Sequence, residues 1–394
     1  MLPENYMRKK VLFIIGTFQS GGVSKSMVNL LNVFDKDRFD VHLMLLSKHG
    51  DVFSKYLPNG VTLHHSQIIE DLHGELPGAF RLLRSGHLLL ALGSLLRMML
   101  SRIDRSRAGM LLARLMPRIV DEEFDLIVDY GGQQQLYYMV DKLKGKKKVS
   151  FFHNDYRKWS YYHKADKRYY RFVDQIFTIS DTCVEALKEC FPEFANKISM
   201  MENISSPQLI LKQAEEPLDM VLSKNKVVLA TLGHLCRRKG WDYIIEAAKV
   251  LRARGVDFVW LQIGKIIEYD LVDVIKNEGL ENYFIFTGIK PNPYPYLKAC
   301  DIYVHPSRFE GKSIALDEAK ILCKPIVVTN FSTVGDQFVD RVNASICEMS
   351  GDDVAEKIME LLSNEQLRNS YVENLSKDMH DNSDEVKKLY KYLA

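Results

Sequence analysis

Twelve short apolar segments, most of them separated by helix-forming stretches, leave this chain few ways to fold. The first seven are VLFIIG (11–16), FDVHLMLLS (39–47), VTLHHS (61–66), FDLIVDYG (124–131), KVSFFH (148–153), QIFTIS (175–180) and KISMMEN (197–203). Five more follow: KVVLATLG (226–233), DFVWLQIG (257–264), YFIFTG (283–288), DIYVHPS (301–307) and PIVVTN (325–330). Most are continuously apolar rather than alternating, the pattern of strands buried on both faces of a parallel sheet. With helices between them, the expected fold is α/β. The two runs are parted by the polar, Pro-containing stretch SSPQLILKQAEEPLDMVLSKN, which predicts two Rossmann-like domains. The boundaries are read as 1–206, a linker at 207–224, 225–378, and a last helix over 379–394 returning to the first domain. A length of 394 residues, beyond what one core usually serves, agrees with two domains.

Charge and composition narrow the function. A net charge of +2 argues against a general nucleic-acid binder, and 46% hydrophobic with 26% charged residues is ordinary globular usage. Cysteines 183, 190, 236, 300, 323 and 347 show no C-x-x-C spacing, which predicts reduced thiols in a cytoplasmic setting and no zinc site. The apolar run at 11–16 ends in Gly16 and reads as a first strand rather than a signal peptide. Asp35 and Asp37 of DKD have a metal-binding spacing, but they sit before a strand and read as a polar turn. No other set of side chains has convincing metal-ligand spacing.

Ligands of open α/β sheets bind beyond the carboxyl ends of the strands. The uncommon residues gather there. GTFQSGGVSKS (16–26) follows the first strand and brings Gly21 and Gly22 to a helix start, where backbone N–H groups can approach an anion. His153 and Asn154 end another strand. GHLCRRKG (233–240) sets Gly233, His234, Arg237, Arg238 and Lys239 past a strand end, a cation cluster suited to a diphosphate or simply a solvated basic loop.

The segment EGKSIALDE (310–318) carries a carboxylate at each end. Ser313 is a plausible N-cap, and the ~100° helical increment places Ser313, Asp317 and Lys320 on one polar face. Glu318 then falls on the apolar arc between Ile314 and Leu322. A carboxylate there needs a ligand, an internal base or a water-filled cleft, because unpaired burial costs several kcal/mol. Glu310 lies in the loop before the helix.

Between Phe80 and Val120 the neutral average breaks down: eight arginines face one acid, Asp104, amid HLLLALGSLL and MMLSRI. Such an Arg- and Leu-rich helical region, within 76–120, has the composition of an interfacial membrane helix, or of packed helices with solvated arginines.

These residues together resemble the retaining, GT-B-type glycosyltransferases (glycosyltransferase family 4), many bacterial members of which build capsule, lipopolysaccharide or other surface glycans. The family's Glu-Gly, six residues, Glu pattern matches Glu310, Gly311 and Glu318, and its Lys-Gly loop matches Gly233, Leu235, Lys239 and Gly240. GGVSKSMVNL, FFHNDY and TNFSTVGDQ also fall where the family has like segments. His234 departs from the family's usual Arg, and Lys312–Ser313 from its usual Phe-Gly. The resemblance implies a GT-B fold whose two domains face a central cleft. It implies a metal-independent, cofactor-free transfer from a nucleotide-diphosphate sugar to a glycan or lipid-linked acceptor, on the cytoplasmic side. An anionic membrane surface contacted through 80–120 is the expectation of composition alone, with packed helices as its alternative. Glu310, Lys239 and His153 are then catalytic. Glu318, His234, Arg238, Gly233, Gly311, Lys312, Ser313 and Gly22 bind donor; Gly21 and Asn154 bind acceptor. No metal ligand is expected. The alternatives are a degenerate sugar-nucleotide-binding scaffold, kept open by His234, and a sugar-nucleotide epimerase.

Overall fold

The computed structural model describes residues 8–19, 21–379 and 381–394. It divides into two compact units, one of residues 1–204 with 383–394, the other of residues 205–382. Each contains one parallel sheet.

In the first unit the strands are β1 (Lys9–Thr17), β2 (Phe39–Ser47), β3 (Val61–His65), β4 (Glu123–Asp129), β5 (Lys144–Phe152), β6 (Gln175–Thr178) and β7 (Ile198–Met200). They lie in the order β3-β2-β1-β4-β5-β6-β7, and every pair is parallel. Along β1, Val11, Phe13 and Ile15 face one core while Leu12 and Ile14 face the other. Strands buried on both faces explain why the sequence showed continuous apolar runs instead of alternation.

The second unit repeats the plan with β8 (Val227–Leu232), β9 (Phe258–Ile263), β10 (Phe284–Gly288), β11 (Ile302–His305), β12 (Ile326–Thr329) and β13 (Ser345–Cys347). Their order is β10-β9-β8-β11-β12-β13, again parallel throughout. All twelve expected strands are present. β13 is additional; at three residues it carries too little pattern to be distinguished from a loop.

Each sheet reverses its winding once. The chain builds outward from β1 to β3 and then returns to lay β4 on the other side of β1. β8 to β10 and the return to β11 do the same. At such a reversal neighbouring strand-end loops leave in opposite directions and open a crevice. Both crevices coincide with the loops singled out above.

Two expectations change. The stretch 207–224 was expected to be a linker, yet Pro207–Ala214 is a helix capped by Ser206, with Ile210 and Ala214 in a core of the second unit. The final segment was expected to be one helix, but it is a 3-10 turn (Ser383–Val386) and a single α turn (Lys387–Tyr390). It packs within the first unit. Val386, Leu389 and Leu393 join the core, and the Tyr390 ring lies 5.1 Å from Phe34 and 5.2 Å from Phe39. Glu385 accepts the Glu202 N–H at 2.7 Å, and Tyr392 donates to Gln175 at 2.9 Å. The six cysteines are all free.

Leu389 is fully buried, so Leu389→Ala is expected to destabilise the first unit by about 2–5 kcal/mol. A urea-unfolding shift worth less than about 1 kcal/mol would show that the C-terminal return contributes little.

Candidate functional site

At the second reversal, two loops are held together by backbone as much as by side chains. After β8, Gly233 donates its N–H to Ile263 at 2.9 Å. A single 3-10 turn (Arg237–Lys239) leads to Gly240, whose φ of 73° is left-handed. A Cβ at Gly240 would lie 1.8 Å from the Pro306 carbonyl, so only glycine lets the β8 loop approach the β11 loop. The Arg308 N–H donates to the Arg238 carbonyl at 3.1 Å. The Arg308 guanidinium grips Asp242 in bidentate fashion, at 2.8 and 2.5 Å.

That approach brings Lys239 to Glu310. Oε1 of Glu310 is ion-paired with Lys239 Nζ, accepts from Ser307 Oγ at 2.6 Å, and faces His305 Nε2 at 3.2 Å. His305 Nε2 also lies 3.3 Å from Ser313 Oγ, and its Nδ1 lies 3.1 Å from the Tyr303 hydroxyl. A neutral ring satisfies this chain, donating from Nε2 and accepting at Nδ1. Burial disfavours the charged form of His305 and lowers its pKa, against the opposing pull of Glu310. Burial pushes the Glu310 carboxyl up, yet the Lys239 charge and the His305 contact outweigh it and hold Glu310 well below the usual carboxylate range.

Ser313 is the N-cap of the helix Ile314–Ile321, but its hydroxyl does not cap the helix. Instead, Gln337 accepts the Ser313 N–H at 3.1 Å and donates to Asp317 at 2.9 Å. Gly311 is buried and Lys312 half-buried beside it. Glu318 is buried at 2% exposure on the apolar arc, and it accepts from the Tyr294 hydroxyl at 3.1 Å. The Tyr294 phenol is thus one polar partner of this buried carboxylate. Burial and the Glu318 charge raise the Tyr294 pKa well above the ordinary phenol value.

Not every cation of GHLCRRKG is available. Arg237 pairs with Glu268 at 2.6 Å and Asp270 at 2.5 Å, which removes it as a substitute for the missing Arg at position 234. Arg238 is exposed and lies over the Phe309 ring at 5.7 Å. His234 is half-buried on the same loop.

At the first reversal a cavity of about 260 Å³ opens beyond β1, β4 and β5. Its walls include Gly16, Thr17 and Ser24, which flank Gly21 and Gly22 at the start of the helix Gly22–Val33, with His153, Asn154 and Trp159 opposite. His153 is stacked on Phe151 and packed against Tyr130, with ring centroids at 5.7 and 4.6 Å. Burial pushes its pKa down to about 4, despite the nearby Tyr130 backbone and Asn203 side chain. The ring is thus neutral at physiological pH.

Beneath this cavity, Asp129 accepts the N–H groups of Gly131 and Gly132 at 3.1 and 2.9 Å and the Ser150 hydroxyl at 2.7 Å. Burial raises its pKa to about 6. Gln133, on the cavity wall, has a φ of 50°, a strained value for a side-chain-bearing residue.

Sequence reasoning missed His305, Ser307, Tyr294, Gln337 and Asp129. Tyr303 and His305 share one face of β11 by the two-residue strand period, a signal available in DIYVHPS. Asp129 closing the apolar run FDLIVD was a second signal. Gln337 closes TNFSTVGDQ, a segment already singled out though not for this residue, and Tyr294 left no signal.

As for metals, Asp35 accepts the N–H groups of Asp37 and Arg38 at 3.2 and 3.0 Å, as a polar turn does. Among the described residues His42, His64 and Glu122 bring ligand atoms within 4.8 Å of one another. These atoms already have protein partners: His42 Nδ1 lies 2.8 Å from His64 Nε2, and Glu122 pairs with Lys10.

Residues 213–378 match the family model described as glycosyl transferases group 1. A capsular polysaccharide biosynthesis glycosyltransferase, CapM of Staphylococcus aureus, is 26% identical over 178 residues, 42% of this chain and 44% of that protein. The N-acetylgalactosamine-N,N'-diacetylbacillosaminyl-diphospho-undecaprenol 4-alpha-N-acetylgalactosaminyltransferase of Campylobacter jejuni is 25% identical over 218 residues, 55% of this chain and 58% of that protein. The chain thus spans about half the length of the curated relatives it matches. Anabaena HepE, solved with UDP-glucose, superposes with a TM-score of 0.68 at 16% identity, over 98% of this chain and 99% of that one. That likeness concerns the fold, two parallel-sheet Rossmann-like domains of the GT-B kind.

The neutral His153 gives an acid-side prediction. Its folded pKa of about 4 lies below the ordinary 6.5, so between those values the unfolded chain binds more protons. Stability contributed by the neutral ring is full above 6.5 and is lost as pH falls toward 4, by on the order of 3 kcal/mol. Thermal midpoints of the native chain and His153→Gln should therefore converge as pH drops from 7. Parallel curves would show that His153 titrates as it does in the unfolded chain.

Proposed function

We propose that this chain, whose residues 213–378 match the family model of glycosyl transferases group 1, is a retaining glycosyltransferase. It moves a sugar from a nucleotide-diphosphate sugar to a glycan or lipid-linked acceptor in surface polysaccharide biosynthesis, on the cytoplasmic side. The observation that carries this reading is the cluster at the second reversal, where Lys239, Glu310, His305 and Ser313 converge next to buried Glu318. A sugar nucleotide presents a diphosphate, a ribose and sugar hydroxyls, and the cluster holds a complement to each.

In this proposal Glu318, set against Tyr294, accepts the ribose hydroxyls. Glu310 accepts hydroxyls of the transferred sugar. Without donor, Lys239 and Glu310 neutralise one another. A diphosphate drawn to Lys239 competes for the ammonium and frees the Glu310 carboxylate for the sugar. As the glycosidic bond breaks, negative charge grows on the departing diphosphate. Lys239, with the helix start at Ser313–Ile314, His234, Arg238 and Gly233, meets that charge in a preorganised setting. Gly311 and Lys312 border the sugar. In the first unit, Gly21 and Asn154 are assigned to the acceptor, Gly22 to the diphosphate and neutral His153 to the transferred sugar. Protein cations do the work a divalent metal does elsewhere, so no metal is required.

The two relatives support the pathway class. One is named for capsular polysaccharide synthesis and the other for a diphospho-undecaprenol substrate.

Nucleoside diphosphate release from a panel of UDP-, GDP- and ADP-sugars, with membrane lipid extract as acceptor, tests the reading. Glu310→Gln and Lys239→Ala should each slow release at least about 100-fold. Glu310→Gln should keep a thermal midpoint near that of the native chain, whereas Lys239→Ala should lower it by leaving the buried Glu310 carboxylate unpaired. Tight donor binding without turnover on any panel would instead favour a scaffold. Removing divalent ions with EDTA should leave the rate unchanged; loss restored by magnesium would overturn the metal-independent step.

A further inference from the structure

The arginine-rich region folds as three helices, Leu76–Arg84, Leu88–Ser101 and Arg105–Leu115. The middle helix and the turn after it leave Leu89, Leu92, Leu96, Met99 and Ile103 in solvent, with Leu89 82% and Ile103 86% exposed. Their 3-4-3-4 spacing forms one straight stripe, roughly 20 Å long at the helical rise. Phe80 on the preceding helix is also exposed, at 67%. So much contiguous apolar surface is uncommon on a soluble protein and marks an interaction face.

Beside the stripe the surface is cationic. Arg97, Arg102 and Arg105 line a cavity of about 420 Å³ with Gln134 and Tyr162. An adjoining cavity of about 590 Å³ shares Arg102 and Arg105 and adds Lys164 and Ile103. Among the described residues, no carboxylate lies within ion-pair distance of these three arginines. Asp104, the acid on the larger cavity's wall, caps the next helix through Arg107 N–H at 3.0 Å and faces the Arg107 side chain at 3.4 Å. Arg97 Nε is buried without a hydrogen-bond partner, and its Nη2 reaches only the Gly74 carbonyl at 3.4 Å. Burial disfavours the charge on Arg97, more than the fields of Glu75 and Tyr162 offset. A cation held in that way is stabilised by an incoming anion.

We propose that this face docks on an anionic phospholipid bilayer, the apolar stripe entering the acyl boundary and Arg97, Arg102 and Arg105 seating a lipid phosphate. Guanidinium forks suit phosphate oxygens, and an apolar ridge flanked by arginines matches the interfacial helix. A second copy of the chain suits the stripe less well. It spans about two heptads where a coiled coil needs three or four. The flanking positions, Gly93, Leu95, Leu100 and Arg102, offer no carboxylate to pair with a partner's arginine. Among the described residues no helix is long and apolar enough to cross the membrane, so this is attachment to a surface.

Flotation of the full chain with phosphatidylcholine vesicles, with and without phosphatidylglycerol, tests this independently of any sugar donor. The native chain should float with phosphatidylglycerol vesicles, less so as salt rises, and stay behind with phosphatidylcholine alone. Arg97→Ala/Arg102→Ala/Arg105→Ala should lower vesicle partition at least about tenfold. Leu92→Asp/Leu96→Asp should abolish flotation, with the native thermal midpoint kept in both variants because these positions face solvent or a cavity. A native chain that does not float, or a triple arginine variant that floats unchanged, overturns the proposal. So does a dimer in sedimentation equilibrium that Leu92→Asp/Leu96→Asp dissociates while no vesicle binding occurs.

Discussion

The constraint on which the rest depends is the single reversal of winding in each parallel sheet. A parallel strand must be followed by a crossover, and the crossovers leave every strand-end loop on the same edge of the sheet. Where the order turns, at β1/β4 and β8/β11, two loops diverge and expose backbone and side chains that would otherwise be covered. The second reversal is then tightened. Gly240 allows backbone contact at Pro306, and Arg308 clamps Asp242. Lys239 and Glu310 come together because their loops have no other course.

Burial gives the resulting cluster its chemistry. Glu310 lies in a pocket that penalises charge, and it remains ionised because Lys239, Ser307 and His305 all converge on one of its oxygens. His305 is held neutral between Tyr303 and Glu310. Glu318, buried as well, accepts a hydrogen bond from the Tyr294 phenol. An arrangement of this kind is costly to assemble for stability alone, since a buried ion pair seldom outdoes an apolar substitute. That cost is what motivates the proposal of a site whose internal pairs exchange for those of a ligand.

Much of this was legible in the chain of letters. Strand positions follow from apolar runs, and the candidate loops follow from the rule that ligands meet strand carboxyl ends. Ser313 occupies the N-cap position, although its hydroxyl does not cap the helix, and Glu318 is buried on the apolar arc. Legibility failed where the signal was short or non-local. β13 has three residues, the expected linker contains a helix whose apolar face is visible only once a core exists for it, and Arg237 is paired with Glu268 and Asp270 at the start of the helix Tyr269–Asn277.

The sequence by itself determined two parallel α/β sheets and the identity of the loops that crown them, because periodicity and punctuation are local properties of the chain. Only the tertiary structure decided which groups meet. It set Tyr294 against Glu318, Gln337 against Ser313 and Lys239 against Glu310. It also decided which face of the Leu- and Arg-rich helices stays in solvent. The physical reason is that hydrogen bonds and burial act over a few ångströms in space, whereas these partners are often tens of residues apart along the chain.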